Sequence, residues 1–430
     1  MPRTLIDETK NKVGETVELF GWVKTLRKQG GIIFLVLRDR TGTIQAVVSK
    51  QQSDVFELVS KLSHESVIKL SGVVKEEKQA PNGIEIGIEA VVVLSAADPE
   101  LPIPVVLEKG GGEVDITKRF DWRWIDLRRD ELLQVFKVWT ELERGFREYF
   151  QQAGYLQIYT PSLMGTPSES GAEVFKVDYF GREAFLAQSP QFYKQMAMAA
   201  GFERVFMTGP VFRAELSFTP RHMTEFTGWD FELSFIDSHF DVMAEEERAL
   251  AAGFAGVKKA LGMQLEIPAL PFPKLTFSEA KKKLAVTGIK SMRQDDFTPE
   301  EERELSRISK GETGHDFVFV TDYPVSARPF YHMRREDDPT LTKSFDLFYK
   351  GLEITTGAQR EHRVAQLEKQ AKEKKMSLTG LANYLNFFRY GCPPHGGVGI
   401  GPGRIIMRML DIDSIKDVTL LPRDVKRLTP

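Results

Sequence analysis

Between residues 15 and 94 the chain alternates apolar and polar residues in five short runs, interrupted once by a stretch of helical period. That order is the tightest constraint on its fold. Residues 15–24, 32–39 and 43–49 read as strands, the last two joined by the Thr41-Gly42 turn. Residues 54–62 repeat with helical period. Residues 66–75 and 84–94 are two further strands, separated by the turn signal Ala80-Pro81-Asn82-Gly83. Three strands, a helix and two strands is the order of a five-stranded oligonucleotide-binding barrel, and as readily that of another small β-barrel.

Past residue 95 the texture changes. Residues 96–118 carry Pro99, Pro102 and Pro104 and the run Gly110-Gly111-Gly112, which reads as a linker. Asp130 then stands as the cap of a long amphipathic helix. Leu132, Val135, Phe136, Trp139, Leu142, Phe146 and Phe150 recur every three or four residues, and Gly154 stops it. Strand-like runs then alternate with helices such as 244–261 and 363–375, without an internal repeat. The division expected is a barrel domain over 1–97, a linker or hinge over 98–125 and a larger domain over 126–430. The highly charged stretch 295–311 reads as a solvated surface insertion.

Composition excludes several classes. Hydrophobic residues at 42% and charged residues at 28% fit neither a disordered chain nor a membrane bundle. With 61 acidic and 58 basic side chains the net charge is −3, so nucleic-acid binding must rest on local patches. The single cysteine, Cys392, excludes an intrachain disulfide framework and every multi-cysteine zinc site. The start Met1-Pro2-Arg3-Thr4 lacks a signal peptide's apolar core, and no apolar run approaches the ~20 residues of a membrane span. A cytoplasmic protein without membrane association is expected.

Four stretches carry chemistry. Val211-Phe212-Arg213-Ala214-Glu215 and Arg221-His222-Met223-Thr224-Glu225-Phe226 form a strand, a loop and a second strand. Such a hairpin can aim two arginines and a histidine at a polyphosphate, with Glu215 and Phe226 available to adenine. It can equally be a solvated hairpin with surface ion pairs. Gly399-Ile400-Gly401-Pro402-Gly403-Arg404 opens an apolar helix, as an anion-binding turn or a purely structural one does. Asp346 and Glu353 interrupt an apolar, strand-like run, where carboxylates need a cation or an arginine. Their odd spacing puts them on opposite faces of a regular strand unless Gly351 makes a bulge. Finally, Gln191 and Lys194 in Gln188-Ser189-Pro190-Gln191-Phe192-Tyr193-Lys194-Gln195 share the first turn of a helix, a receptor for a small carboxylate or two ordinary surface residues.

Together these stretches resemble a class II aminoacyl-tRNA synthetase, closely the aspartyl-tRNA synthetases of archaeal type, over nearly the whole chain. The matching regions are the barrel, 154–161 as motif 1, 211–232 as motif 2, 397–410 as motif 3 and the C-terminal segment 421–430; the Gln-Ser-Pro-Gln-x-Tyr-Lys-Gln run narrows the match to the aspartate branch. The resemblance implies an α+β protein: an OB-fold anticodon-binding barrel, then a catalytic domain built on an antiparallel sheet flanked by helices. It implies that Arg213 holds the α-phosphate of ATP, that Glu215 and Phe226 take the adenine, and that Arg221, His222 and Arg404 hold the distal phosphates beside Gly401. By the same resemblance, Asp346, Glu353 and Thr356 would place Mg2+. Glu169, Ser189, Gln191 and Asp230 would surround the amino group of L-aspartate, and Lys194 and Arg360 would grip its side chain. Thr356 would also border that substrate. Arg213, Arg404 and Glu353 would then be the catalytic set. In the barrel, Arg27, Phe34, Gln45 and Pro81 would meet the anticodon, and motif 1 with Pro161 would form a homodimer interface.

Two cations, Lys194 and Arg360, facing one side chain would favour aspartate over asparagine, since an amide leaves buried positive charge unpaired. Pro81 resembles the relaxed kind of enzyme that charges both tRNA(Asp) and tRNA(Asn), the latter product then feeding an amidotransferase. Lys24 matches neither kind. The alternatives are an enzyme strict for tRNA(Asp), an asparaginyl enzyme, an ammonia-dependent asparagine synthetase, which needs no barrel, and a tRNA-binding paralogue, which would have lost a phosphate arginine or a metal carboxylate.

Overall fold

The computed structural model describes residues 3–106, 114–167, 173–217 and 219–430. The chain divides into two compact units, Met1–Asp115 and Ile116–Pro430.

The first unit is a closed barrel of β1 (Thr16–Gln29), β2 (Ile32–Arg38), β3 (Thr43–Ser49), β4 (Val67–Glu76) and β5 (Ile84–Ser95), in the order β1-β2-β3-β5-β4, with α1 (Ser53–Ser60) between β3 and β4. Alternation is what closes it. Val17, Leu19, Val23, Ile33, Leu35, Leu37, Ile68 and Leu70 all point inward and are almost wholly buried. One buried ion pair, Arg38–Glu65 at 2.7 Å, lies at the barrel's end.

The second unit begins with α2 (Ile116–Asp121) and α3 (Arg123–Asp126). Most of residues 116–125, expected in the hinge, is therefore helical, and the Arg123 guanidinium donates to the carbonyls of Asp417, Thr419 and Leu420 in the same unit. The long helix follows as α4 (Asp130–Gln152). Arg129, not Asp130, holds the cap position, and Asp130 starts the first turn. Next come β6 (Leu156–Gln157), β7 (Leu163–Met164), β8 (Lys176–Tyr179), β9 (Arg182–Leu186), α5 (Gln191–Ala199), β10 (Arg204–Phe212), β11 (Glu225–Ser234) and α6 (His239–Leu261). The remainder is β12 (Lys274–Thr276), α7 (Phe277–Ala285), α8 (Pro299–Thr313), β13 (Phe317–Thr321), β14 (Ser344–Tyr349), β15 (Leu352–Arg360), α9 (Val364–Glu373), α10 (Ala382–Arg389), β16 (His395–Ile400) and α11 (Pro402–Met409).

Eight strands form one sheet in the order β12-β13-β14-β15-β16-β11-β10-β6, with β7, β9 and β8 in a small separate sheet. The six central strands are antiparallel; the outermost pairs, β12 with β13 and β10 with β6, are parallel. The sheet is thus mixed at its edges, because β6 and β12 enter from helices or loops instead of hairpins. On one face α4 and α6 cover an aromatic core that includes Phe146, Phe150, Trp229 and Phe231. The helices approach closely because Gly145 faces Gly253: a Cβ on Gly145 would lie 2.7 Å from the Ala252 carbonyl. Strand period two then sends Asp230 and Glu232 to the other face, between Trp229, Phe231 and Leu233.

The charged stretch 295–311 is a correction. It is not a solvated insertion: most of it is α8, whose Glu301, Glu302, Leu305, Ser306 and Ser309 are buried. A capping box between Thr298 and Glu301 starts it, and Lys281 neutralises Glu301 at 2.8 Å. Local charge density concealed an amphipathic helix whose carboxylates meet distant cations. No helix among the described residues is long and apolar enough to cross a membrane.

Candidate active site

A cleft of about 750 Å³ opens on the second unit, lined by residues of β10, β11, β15, β16, α5 and α11. Ser189, Gln191, Lys194, Arg213, Glu215, Arg221, His222, Phe226, Asp230, Glu353, Thr356, Arg360, Gly401 and Arg404 all lie on its wall. Glu169 lies outside the described residues.

One end is cationic and half open. β10 and β11 pair Val211 with Phe226, which sets the Arg213 guanidinium 5.6 Å from the Phe226 ring centre and 3.8 Å from Glu215. Arg221 donates to Glu302 at 2.7 Å. Thr219 and His222 meet at 2.5 Å. Burial, then the nearby Arg404, Arg221 and Arg213 charges, depress the His222 pKa against the pull of Glu215. Gly401 precedes α11, and Arg404 in its first turn donates to the Glu353 carbonyl at 2.8 Å and to its carboxylate at 3.4 Å.

Asp346 and Glu353 do not belong to one strand. Lys350 and Gly351, both at positive φ (46° and 78°), turn the chain between β14 and β15. Asp346 then pairs with Thr356 and Phe348 with Glu353, and an irregularity between Leu347 and Phe348 adjusts the register. Glu353 and Thr356 share the cleft, their side chains 3.5 Å apart. Asp346 is withdrawn behind it: one oxygen accepts from Arg328 at 2.7 Å, and the other is buried without a hydrogen bond. Of the trio expected to place a metal, Glu353 and Thr356 lie on the wall and Asp346 lies behind it. Among the described residues no group of three His, Cys, Asp or Glu is gathered to hold a metal. Desolvation, with the charges of Asp346 and Glu302 outweighing Arg404, pushes the Glu353 pKa up to about 7. Carboxylates under such mutual repulsion are relieved by an arriving divalent cation, so Glu353 and Thr356 fit one.

The other end is a closed ion lattice. Lys194 is 1% exposed and donates to Asp230 at 2.7 Å and to the Val398 carbonyl at 3.1 Å, with Glu232 at 3.3 Å. Arg360 donates to Glu232 at 3.2 Å, to the Gly397 carbonyl at 2.9 Å and to His332 at 2.8 Å. Despite complete burial, Arg360 and Lys194 hold the Glu232 pKa below the usual carboxylate range. The four side chains balance to zero charge. Each of the two cations expected to grip the substrate side chain thus faces a resident carboxylate. Gly397 makes this possible, since a Cβ there would collide with the Glu232 carboxylate. The Gln191 side-chain nitrogen is buried beside the lattice without a partner.

In the barrel unit, Arg27 is paired across the ladder with Phe34, and Gln45 donates to Glu85 at 3.0 Å. Arg27 is exposed and Phe34 half-buried; Pro81 is exposed in a short turn with Asn82 at φ 70°. Sequence reasoning missed Glu232, Glu302 and Glu85, whose partners are remote in the chain. The ladder partner of Gln45 was the one signal available for Glu85, once β3 lies beside β5.

The barrel and the mixed-sheet unit with this cleft define a tRNA-charging enzyme class. Residues 115–425 match the model of class II tRNA synthetases of the D, K and N type, and residues 17–94 match the OB-fold nucleic acid binding domain. The chain belongs to the class II tRNA synthetases, a family of aminoacyl-tRNA ligases. It is 42% identical to a Methanopyrus kandleri protein named aspartate--tRNA(Asp/Asn) ligase, covering 99% of this chain and 98% of that one. It is 39% identical to the Thermoplasma volcanium aspartate--tRNA(Asp) ligase over the whole of both. Among solved structures, asparaginyl-tRNA synthetase from Pyrococcus horikoshii complexed with asparaginyl-adenylate superposes over all of both chains with a TM-score of 0.92 and 30% identity.

Proposed function

We propose that the chain is an aspartate--tRNA ligase that forms aspartyl-adenylate from L-aspartate and ATP and passes the aspartyl group to tRNA(Asp) and to tRNA(Asn). The observation that carries this reading is that Arg213, Arg404, Glu353 and Lys194 line a single cleft.

Adenylation asks little of side-chain acid–base chemistry. The substrate α-carboxylate is already a nucleophile, and attack at the α-phosphate needs alignment and charge stabilisation. Arg213 would meet the α-phosphate, with adenine against Phe226 and Glu215, and Arg221, His222 and Arg404 along the distal phosphates. Glu353 and Thr356 would hold Mg2+, which neutralises phosphate charge and makes pyrophosphate a better leaving group. The substrate ammonium, entering among Ser189, Gln191 and Asp230, draws Asp230 away from Lys194. Lys194, still beside Glu232, would then offer the place of Asp230 to the side-chain carboxylate, next to Arg360, so charge would be conserved inside the lattice. An asparagine side chain would leave Lys194 without that counterion.

Phe34, Gln45 and Arg27 would meet the anticodon, and Pro81 supports the relaxed tRNA range; the misacylated tRNA(Asn) would be the substrate of an amidotransferase. Residues 154–161 would join two copies of the chain, and Leu156 and Tyr159 there are exposed. A cytoplasmic location fits this reaction. Strict tRNA(Asp) specificity is the second reading, favoured by the name of the Thermoplasma volcanium relative. Charging tRNA(Asp) and tRNA(Asn) transcripts separately with labelled aspartate decides between them. Label on both supports the proposal, label on tRNA(Asp) alone supports the strict reading, and label on neither defeats both.

A further inference from the structure

Glu302 lies outside the four stretches that carry the family resemblance and binds an arginine of the phosphate end. Glu302 projects from α8 and is 5% exposed. A single oxygen of its carboxylate accepts from Arg221 at 2.7 Å and from the Glu353 backbone N–H at 3.4 Å. It therefore ties the loop between β10 and β11 to β15, the strand that bears Glu353 and Thr356.

The carboxylate is itself firmly placed. The Thr298–Glu301 capping box sets the first turn of α8, and Lys281 anchors Glu301. Gly351, at φ 78°, lets α8 approach the β14–β15 turn so closely that a Cβ there would lie 3.0 Å from the Arg303 Cα. Arg221 has no such support: it sits at the cleft rim with Arg213 and Arg404, whose charges repel its own. An arginine side chain has much rotamer freedom to lose on being fixed. Its planar head carries five donors, so one nitrogen can be held by Glu302 while others remain for phosphate.

We infer that Glu302 is a positioning residue for ATP binding, holding the Arg221 guanidinium where the distal phosphates arrive. The inference rests on the proposed adenylation reaction and adds a residue from α8 to it. Glu302 touches no substrate and acts through Arg221.

The test is calorimetric titration of the full-length protein with ATP and with AMP, both with magnesium, in Glu302→Ala, Glu302→Asp, Arg221→Ala and the double variant Glu302→Ala/Arg221→Ala. A charge-assisted hydrogen bond of this kind corresponds to roughly a tenfold change or more in affinity. Glu302→Ala should weaken ATP about tenfold while AMP, which lacks the distal phosphates, stays within twofold. Glu302→Asp should recover part of the loss. In the Arg221→Ala background, removing Glu302 should cost nothing further. ATP affinity unchanged or tightened, ATP and AMP weakened alike, or a loss that persists without Arg221 would each overturn the inference. If Glu302→Ala does not fold, Glu302→Gln, which keeps the shape and removes the charge, is read by the same criteria. Aspartate-dependent pyrophosphate exchange by the unaltered protein separates the two levels: without exchange the proposed function fails, and with exchange but no ATP-specific loss only the role of Glu302 fails.

Discussion

The two ends of the cleft place similar charges in opposite surroundings. At the amino-acid end Lys194, Arg360, Asp230 and Glu232 are dry, mutually neutral and held together by ion pairs and hydrogen bonds. At the phosphate end the Arg213 side chain is 46% exposed, and Arg221 and Arg404 are about a quarter exposed. The buried set can discriminate, because any ligand that unbalances it strands a charge at low dielectric. The open set can attract a highly charged ligand and let its product leave, because water and salt moderate each contact.

The largest expected effect breaks the buried lattice. Lys194→Leu leaves Asp230 without its cation and should destabilise the protein by about 3–5 kcal/mol. Urea unfolding measures this, and in the folded fraction the aspartate requirement for exchange should rise far more than the ATP requirement. Equal shifts in both would contradict the assignment. At the open end, Arg213→Ala should reduce aspartate-dependent exchange by about a hundredfold or more, with stability within about 0.5 kcal/mol of the parent. A large loss of stability there would erase the contrast between the ends.

A third test concerns the back of β15. Glu246 on α6 is fully buried, its oxygens make no hydrogen bond among the described residues, and Thr355 is its polar neighbour. Burial, with the Glu247 and Asp346 charges adding, pushes its pKa up to about 8 from an ordinary value of 4.5. The folded protein therefore keeps a proton that the unfolded chain releases, and stability falls as pH rises between those values. Glu246→Gln removes that slope, so its stability relative to the parent should grow by about 1.4 kcal/mol per pH unit between pH 5 and 8. Denaturant titrations at three pH values read it; a flat difference would show that Glu246 is ionised in the fold. The smallest effect is ionic: raising salt from 50 to 300 mM should increase the ATP requirement a few-fold and leave the aspartate requirement nearly unchanged.

What could be read in advance follows the range of the interactions. The barrel strands rest on alternation, a local signal, and their ranges are close to those expected. The hairpin bearing Arg213 and Phe226 was equally legible. The separation of Asp346 and Glu353 onto two strands was not, because a Lys350-Gly351 turn is weakly marked between two largely apolar runs. Glu232, Glu302 and the pairing of Asp346 with Arg328 are contacts across tens to hundreds of positions, for which no periodicity exists. The charged face of α8 misled for the same reason: burial of Glu302 depends on Arg221, 81 residues away.

Gly397 carries a consequence for how such a protein can change over time. The vacancy beside its α-carbon is already filled by the Glu232 carboxylate, so the strand floor there has no tolerance for even one methyl group. Reshaping the amino-acid end through its walls is closed off. A descendant with a new substrate would have to swap charges in concert, several positions at once.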